Sequence, residues 1–317
     1  MNAGFAPVER CWVCDGRALR PFYEARYELS AFATQDPPLA AYRGEPIANR
    51  RCVACGFGQP ASQPALDRYF DRIYDQHWAE YWVEAEHTAT YKDDIFADVL
   101  RALAARVPAK PRRLLDVGAH AGRLMSLARR DGWDVEGIEL NPRTAAQAAA
   151  ATGAVVHHGN IFSVEPPGTF DAVALVDVLE HIPDPRRALT RAAGWIRPGG
   201  AIAVKVPNGA AQRLKESVRA IVRPGYRPTL ADNLVHVNHF SPRALARALA
   251  RAGFVDVRVT TGAPELLPAD GQPFRRALSN AARLAVYGAA RLPGAVETPL
   301  ALNLQAYAQV PLEGRPQ

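Results

Sequence analysis

Arg113-Leu-Leu-Asp-Val-Gly-Ala-His-Ala-Gly122 decides how the rest of this chain is read. An apolar run ends in Asp116, a glycine-bearing turn follows, and an amphipathic stretch, 123–130, begins at once. That is the pattern of a buried parallel strand passing into a helix through a turn tight enough for a ligand to touch backbone. Gly118 and Gly122 permit close approach and unusual backbone angles, while Asp116 sets a carboxylate at the strand's carboxyl end. Outward from this turn, short apolar runs alternate with helical segments from residue 112 onward. The alternation predicts βαβ units on a parallel sheet. Strands are expected at 113–117, 135–139, 154–157, 172–176, 201–206 and 255–260, with a last one at 302–310 after a long interruption. Helices are expected between them, for example at 185–196 and at 241–252. The latter is well marked, with Ser241 as N-cap, Pro242 in the first turn and Gly253 at the end.

The acidic residue closing the second strand is Glu139, 23 residues after Asp116, where a carboxylate can bind both hydroxyls of a ribose. A dinucleotide would want G-x-G-x-x-G, which Gly118-Ala-His-Ala-Gly122 does not match, and no lysine sits in the turn for a triphosphate. A ligand with ribose and adenine but no pyrophosphate fits better.

The chain's 4 cysteines form two C-x-x-C knuckles, Cys11-Trp-Val-Cys14 and Cys52-Val-Ala-Cys55, with Gly16 and Gly56 just beyond. Four thiolates in two turns suit tetrahedral zinc, and the glycines let backbone N–H groups turn toward sulfur. The separation, residues 15–51, exceeds the ribbon spacer of about 15–20 residues, so something must fold between the knuckles. No cysteine is spare to act as a nucleophile. A closed four-sulfur site has no open position, so this zinc is expected to hold structure.

At this point the sequence resembles a known family, the class I S-adenosylmethionine-dependent methyltransferases, over about residues 86–262 and the final strand. Leu115-Asp-Val-Gly-Ala-His-Ala-Gly122 is similar to the family's first motif, with His120 in place of the middle glycine. Glu139 matches its ribose-binding acid. His158-Gly-Asn-Ile161 resembles the third-strand segment whose polar residue, here Asn160, reaches the adenine amino group. Phe170-Asp-Ala-Val-Ala-Leu-Val-Asp-Val-Leu-Glu-His-Ile-Pro-Asp-Pro185 looks like the fourth strand and its turn, and 196–208 like the fifth-strand motif. His236-Val-Asn-His-Phe-Ser-Pro-Arg-Ala-Leu245, with Ala252-Gly-Phe254, resembles the segment before the sixth strand in the small-molecule branch. The resemblance implies a Rossmann-like α/β methyltransferase sheet in the order 3-2-1-4-5-7-6. It implies S-adenosylmethionine held by Asp116, Gly118, Ala119, Gly122, Glu139, Leu140, Asn160, Ile161, Asp177 and Val178. Ahead of the core, the four-cysteine part (Cys11, Cys14, Cys52, Cys55) is similar to the zinc module of sugar C-methyltransferases, which suggests sugar-linked acceptors. Those enzymes continue into another domain after the core, which this chain is expected to lack.

The organisation expected is a zinc-binding module at 1–65, a helical connector or lid at 66–111, the methyltransferase core at 112–262, and a helical insertion with the final strand at 263–317. Length, 317 residues, and an apolar fraction of 48% suit one large domain plus a small one. The net charge of +6 comes mostly from arginines scattered over helix faces, where a nucleic-acid footprint would need them gathered on one. No apolar stretch approaches the roughly 18 residues of a membrane span, and the N-terminus lacks a basic segment followed by an apolar one. A cytoplasmic protein is expected.

A sulfonium methyl is already a strong electrophile, so catalysis needs in-line approach, exclusion of water and a nucleophile freed of its proton. His181, His236 and His239 are the candidate bases. Asp177 is expected to line the cofactor pocket. Tyr69, Phe70, Tyr74, Trp78, Tyr81, Trp82 and Tyr91 read either as packing between module and core or as a lid. Phe274, Leu278, Ala281, Ala282, Ala285 and Ala289 fall on one helical face, as packing, a homodimer contact or a membrane-surface contact through 274–291. The function expected is methyl transfer to a small-molecule or sugar-linked acceptor, with oxygen as the favoured atom. Its rivals are an RNA or tRNA methyltransferase gripping through the zinc module, and a non-catalytic zinc-scaffolded binding protein.

Overall fold

A computed structural model describes residues 4–27, 36–77, 90–229, 236–266 and 273–312. In its N-terminal part, strands β2 (Leu19–Arg26), β3 (Pro46–Cys52) and β4 (Gly58–Pro60) make an antiparallel sheet, while β1 (Phe5–Pro7) pairs with β5 (Ser62–Pro64). The long spacer between the knuckles therefore holds β2, a 3-10 turn at Pro37–Tyr42 and most of β3. Helix α1 (Tyr69–His77) sets Tyr69 and Ile73 against Tyr27, Leu39, Tyr42 and Ile47, an aromatic-rich cluster of its own. Tyr69 thus packs within the N-terminal part, and not between that part and the core. Trp78, Tyr81 and Trp82 lie outside the described residues.

Beyond α2 (Asp93–Arg106) comes the large sheet. Its strands are β6 (Arg112–Val117), β7 (Trp133–Glu139), β8 (Val156–His158), β9 (Phe170–Val176), β10 (Ile196–Pro207), β11 (Val255–Thr261) and β12 (Asn303–Gln309). They run in the order β11-β12-β10-β9-β6-β7-β8, with β12 antiparallel to both neighbours and the pairs from β10 through β8 parallel. Numbered within the core, that is 3-2-1-4-5-7-6, the expected order. The helices between are α3 (Arg123–Arg130), α4 (Pro142–Thr152), α5 (Pro185–Gly194), α6 (Gly209–Val222), α7 (Pro242–Arg251) and α8 (Pro273–Ala290).

Both faces are covered, and period-two alternation sorts the side chains between them. Leu114, Ala172, Ala174, Ala201 and Ala203 meet Val99, Leu103, Leu124 and Met125 of α2 and α3 on one face. Leu115, Val173, Leu175 and Val204 meet Leu189, Leu245 and Leu249 of α5 and α7 on the other. The alanines of β9 and β10 carry little volume, so helices can pack close to the strands on that face.

The N-terminal part is joined to this core rather than tethered beside it. Cys11, Cys52, Cys55 and Phe57 belong to the same buried cluster as β6 and α7, and the Phe57 and Phe240 rings lie 5.0 Å apart. Gly58 and His239 exchange backbone hydrogen bonds of 2.9 Å each way. A side chain at Gly58 would meet the His239 Cβ at 2.9 Å, which explains the glycine. Asp15 takes Arg186 and Arg251 at 2.6 and 2.8 Å.

The apolar stripe expected to pack along α8 instead points outward: Phe274 is 82% and Leu278 65% exposed, and the half-buried side carries Arg283, whose Nη1 donates to the Glu265 carbonyl at 2.8 Å. Packing within the chain is thus corrected for this face. Among the described residues, no helix is long and apolar enough to cross a membrane.

Candidate active site

The turn after β6 is built around Glu139. The carboxylate is 1% exposed, and three donors fix it: His120 N–H on Oε2 at 2.8 Å, and Asn141 N–H and the Thr144 hydroxyl on Oε1 at 2.9 and 3.0 Å. Burial raises its pKa, and these donors pull back toward the carboxylate. His120 reaches that position with φ of +49°, the left-handed conformation that a glycine would adopt at no cost. Gly118, at φ of +78°, is required by its surroundings, since a Cβ there would lie 2.4 Å from Val178 Cγ2. Gly122 packs on α4, where a Cβ would come within 3.0 Å of Ala148. Asp116, beneath the turn, is pushed up to about 7 by burial and by the Glu139 charge.

Two adjoining cavities open at the carboxyl ends of the strands, sharing Tyr74, Gly118, Asp177 and His181. The larger, about 920 Å³, is lined by Glu139, Leu140, Asn160, Ile161 and Val178, with Trp12, Leu66 and Phe70 of the N-terminal part as its opposite wall. The smaller, about 510 Å³, is lined by Asp116, Ala119, Lys92, Tyr91, Glu180, His236 and Lys205. Tyr74 and Tyr91 thus face the cleft, as the lid reading expected of the aromatics. The two cavities meet where β6 and β9 lie side by side and the connections leave in opposite directions, the switch point at which such sheets bind ligands.

Asn160 lines the larger cavity, yet its side chain is already committed. Its oxygen accepts from Phe162 N–H at 2.8 Å and Ser163 N–H at 3.0 Å, and its amide donates to Asp71 Oδ2 at 2.6 Å. Both acceptor directions of the Asn160 oxygen are thus taken up by backbone donors in this structure. The carboxylate it holds, Asp71 on α1, lines the same cavity. Sequence reasoning missed Asp71 because it lies 89 residues away, in a helix whose spacing announced only packing.

At the other end, Asp177 accepts from Lys92 Nζ at 2.9 Å and from Lys205 Nζ. Burial alone would raise its pKa, but Lys205 and Lys92 outweigh that and hold it well below the usual carboxylate range. It lines the pocket as a fixed charge and cannot serve as a base near neutrality. Glu180, buried in the next turn, is pushed up to about 8 by burial and by Asp177. His181 and His236 face each other with ring centroids 4.9 Å apart, and both line the smaller cavity. Burial, then His181, lowers the His236 pKa well below its ordinary value, so the ring is neutral. His239 is not brought to this cleft. It lies under Phe22 and Tyr23, bonded to the Tyr23 hydroxyl at 2.8 Å, with burial lowering it to about 4. Gln212 connects it to the site, with Nε2 2.6 Å from His236 Nδ1 and Oε1 3.0 Å from His239 Nδ1.

The four cysteine sulfurs converge to within 4.8 Å of one another, with Cys11–Cys55 and Cys14–Cys52 at 3.5 Å. Zinc–sulfur bonds of about 2.3 Å in a tetrahedron put sulfurs about 3.8 Å apart, so the set fits zinc. Neighbouring thiols and burial raise the Cys11 pKa, the repulsion that a dication relieves.

A family profile described as "Methyltransferase domain" matches residues 76–259, more than half of the chain. A ubiquinone biosynthesis O-methyltransferase of Xylella fastidiosa (strain 9a5c) is 31% identical over 160 residues, 48% of this chain and 64% of that protein. One of the same name from Xanthomonas campestris pv. campestris (strain B100) is 32% identical over 33% of this chain and 47% of its own length. The chain thus spans about half to two thirds of the curated relatives it matches. Among solved structures, the N-methyltransferase NodS of Bradyrhizobium japonicum WM9 with S-adenosyl-L-homocysteine is 14% identical, covering 76% of this chain and 98% of that one, at a TM-score of 0.49. With the sheet order, the Glu139 turn and the matching profile together, the chain belongs to the class I S-adenosylmethionine-dependent methyltransferases.

Proposed function

We propose that the protein transfers a methyl group from S-adenosylmethionine to an oxygen of a small-molecule or sugar-linked acceptor. The observation that carries this reading is the single cleft running from Glu139 to the Glu180, His181 and His236 cluster through the switch point at Gly118 and Asp177. When bound, the donor supplies a methyl carbon on a sulfonium whose leaving group is a neutral thioether. Glu139, immobilised by three donors, takes the ribose hydroxyls with little reorganisation. Leu140, Ile161 and Val178 provide the apolar walls for the base. Asp71, held in place by Asn160, accepts from the exocyclic amine. Asp116 and Ala119 lie on the amino-acid side, where a carboxylate suits an ammonium. Asp177, fixed between Lys92 and Lys205, shapes the junction and stays charged.

The acceptor occupies the smaller cavity. Its O–H proton would leave toward His181, since burial leaves His236 a weak base, and the oxygen would take the methyl group as the neutral thioether departs. Oxygen as the acceptor atom is supported by the O-methyltransferase names of the curated relatives. Sugar-linked acceptors are supported by the likeness of the four-cysteine part to that of sugar C-methyltransferases, and by its place as a wall of the cleft. Its zinc serves structure.

Calorimetry with S-adenosylmethionine, followed by transfer of labelled methyl to phenolic and sugar-nucleotide acceptors, tests the reading. Micromolar donor binding that Glu139→Ala abolishes is the expected result. Unchanged affinity in that variant would place the donor elsewhere.

A further inference from the structure

Glu180 presents a contradiction in ordinary polar chemistry. It is 1% exposed, and neither carboxyl oxygen has a hydrogen-bond partner among the described residues, although the side chain lines the smaller cavity. The lysines nearby are already used: Lys205 and Lys92 both pair with Asp177, and Lys205 lies 3.6 Å from Glu265 as well. A buried carboxyl without donors is costly unless something supplies positive charge. Two imidazoles stand beside it. One ligand atom each from Glu180, His181 and His236 lies within 4.8 Å of the others, and His236 Nε2 is 3.9 Å from Glu180 Oε1.

We infer that Glu180, His181 and His236 form a binding site for a first-row transition-metal dication at the acceptor end of the cleft. The three ligands come from two segments that the backbone locks together. Val237 and Asn238 N–H donate to the Glu180 carbonyl at 2.9 and 3.0 Å, and the Asn238 amide donates to the Leu179 and Ile182 carbonyls at 2.8 and 2.7 Å. Such bracing fixes spacing before any ion arrives. Gln212 stands beside His236 Nδ1 with its amide nitrogen at 2.6 Å; a half-turn of that amide on metal binding would present the oxygen instead, hold the ring's proton on Nδ1 and leave Nε2 to coordinate. Two neutral imidazoles with one carboxylate favour manganese, iron, cobalt or zinc over magnesium and calcium, which want oxygen around them. Three protein ligands leave coordination positions open toward the cavity, which fits an acceptor offering one hydroxyl or two neighbouring oxygens.

For its purpose this inference rests on the methyl-transfer reading. With the imidazole nitrogens engaged, the cation takes over their part by lowering the pKa of a coordinated hydroxyl, whose proton then passes to solvent. Its binding does not rest on that reading. The test is a titration of the zinc-loaded full chain with Mn²⁺, following the free-ion electron paramagnetic resonance signal. One Mn²⁺ bound per chain is expected, with Glu180→Gln and His236→Gln each raising Kd at least tenfold while zinc content stays near one per chain. Imidazole NMR of the unmutated protein gives a readout that does not depend on how the variants fold. Mn²⁺ should broaden His181 and His236 and spare His157. No binding at millimolar Mn²⁺, unchanged affinity in both variants, or broadening of His157 ahead of His181 and His236 overturns the inference. Calorimetry with S-adenosylmethionine in the absence of Mn²⁺ separates the two failures: donor binding without Mn²⁺ binding removes only the cation site.

Discussion

Single carboxyl groups in this cleft have been given different characters by their neighbours. Glu139 is kept in place by donors, Asp177 is kept charged by two lysines, and Asp116 is raised to about 7 by burial and Glu139. The last has a consequence for pH. A donor ammonium set against Asp116 favours its carboxylate, so below pH 7 binding must expel a proton. Donor affinity is therefore expected to fall as pH drops from 7.5 to 5.5, approaching tenfold per unit, and to be flatter in Asp116→Asn. Calorimetry across that range checks it, and an equal slope in both proteins would clear Asp116 of the role. Asp71 makes a second case. Removing one charge-assisted acceptor costs about 1.5–3 kcal/mol, so Asp71→Ala should weaken donor binding about tenfold or more. Asn160→Ala should have a smaller effect on the same measurement, since it acts only through Asp71.

Elements are held at their ends by a few residues whose conformations leave little choice. Gly118→Ala would add a Cβ 2.4 Å from Val178 at a φ of +78°. The left-handed backbone and the overlap together should destabilise the protein by about 2 kcal/mol or more and abolish donor binding. Denaturant unfolding measures the first effect, and an unchanged midpoint would mean that the turn is looser than it looks. Ser241 caps α7 by accepting from Ala244 N–H at 3.1 Å and also donates to the Cys55 carbonyl at 3.3 Å. Ser241→Ala should cost about 1 kcal/mol as a lost cap. It also removes a tie between that helix and the second cysteine knuckle.

At the scale of the whole molecule, the zinc part and the sheet share one buried cluster through Cys11, Cys52, Cys55 and Phe57. Stripping the metal should therefore not simply loosen an appendage. Chelation is expected to lower the melting temperature of the entire chain in one calorimetric transition, and to weaken donor binding because Trp12 and Phe70 form one wall of the cavity proposed for the donor. Two separate transitions, with the upper one unmoved, would show the N-terminal part to be energetically independent. The outward apolar face of α8 belongs to this scale too. A single chain leaves Phe274 and Leu278 in solvent, and a homodimer or a membrane surface remains the proposal for what meets them.

Strand order and the gathering of Asp116, Gly118 and Glu139 along one cleft were legible in the sequence because both follow from local rules. A buried strand, its glycine turn and the acid at the next strand's end lie close along the chain, and period-two and helical patterns need no distant partner to be read. The paired knuckles were legible for the same reason. Tertiary structure alone decided that Asn160 positions Asp71, that Glu180 lies close to His181 and His236 with no hydrogen bond to its carboxyl oxygens among the described residues, that His239 is withdrawn beneath Tyr23, and that Gly122 packs on α4. Each of these depends on which side chains meet across long separations in sequence, and on how much water the meeting leaves. Periodicity reports which face of an element is apolar; it does not report which partner occupies the last lone pair of a buried oxygen.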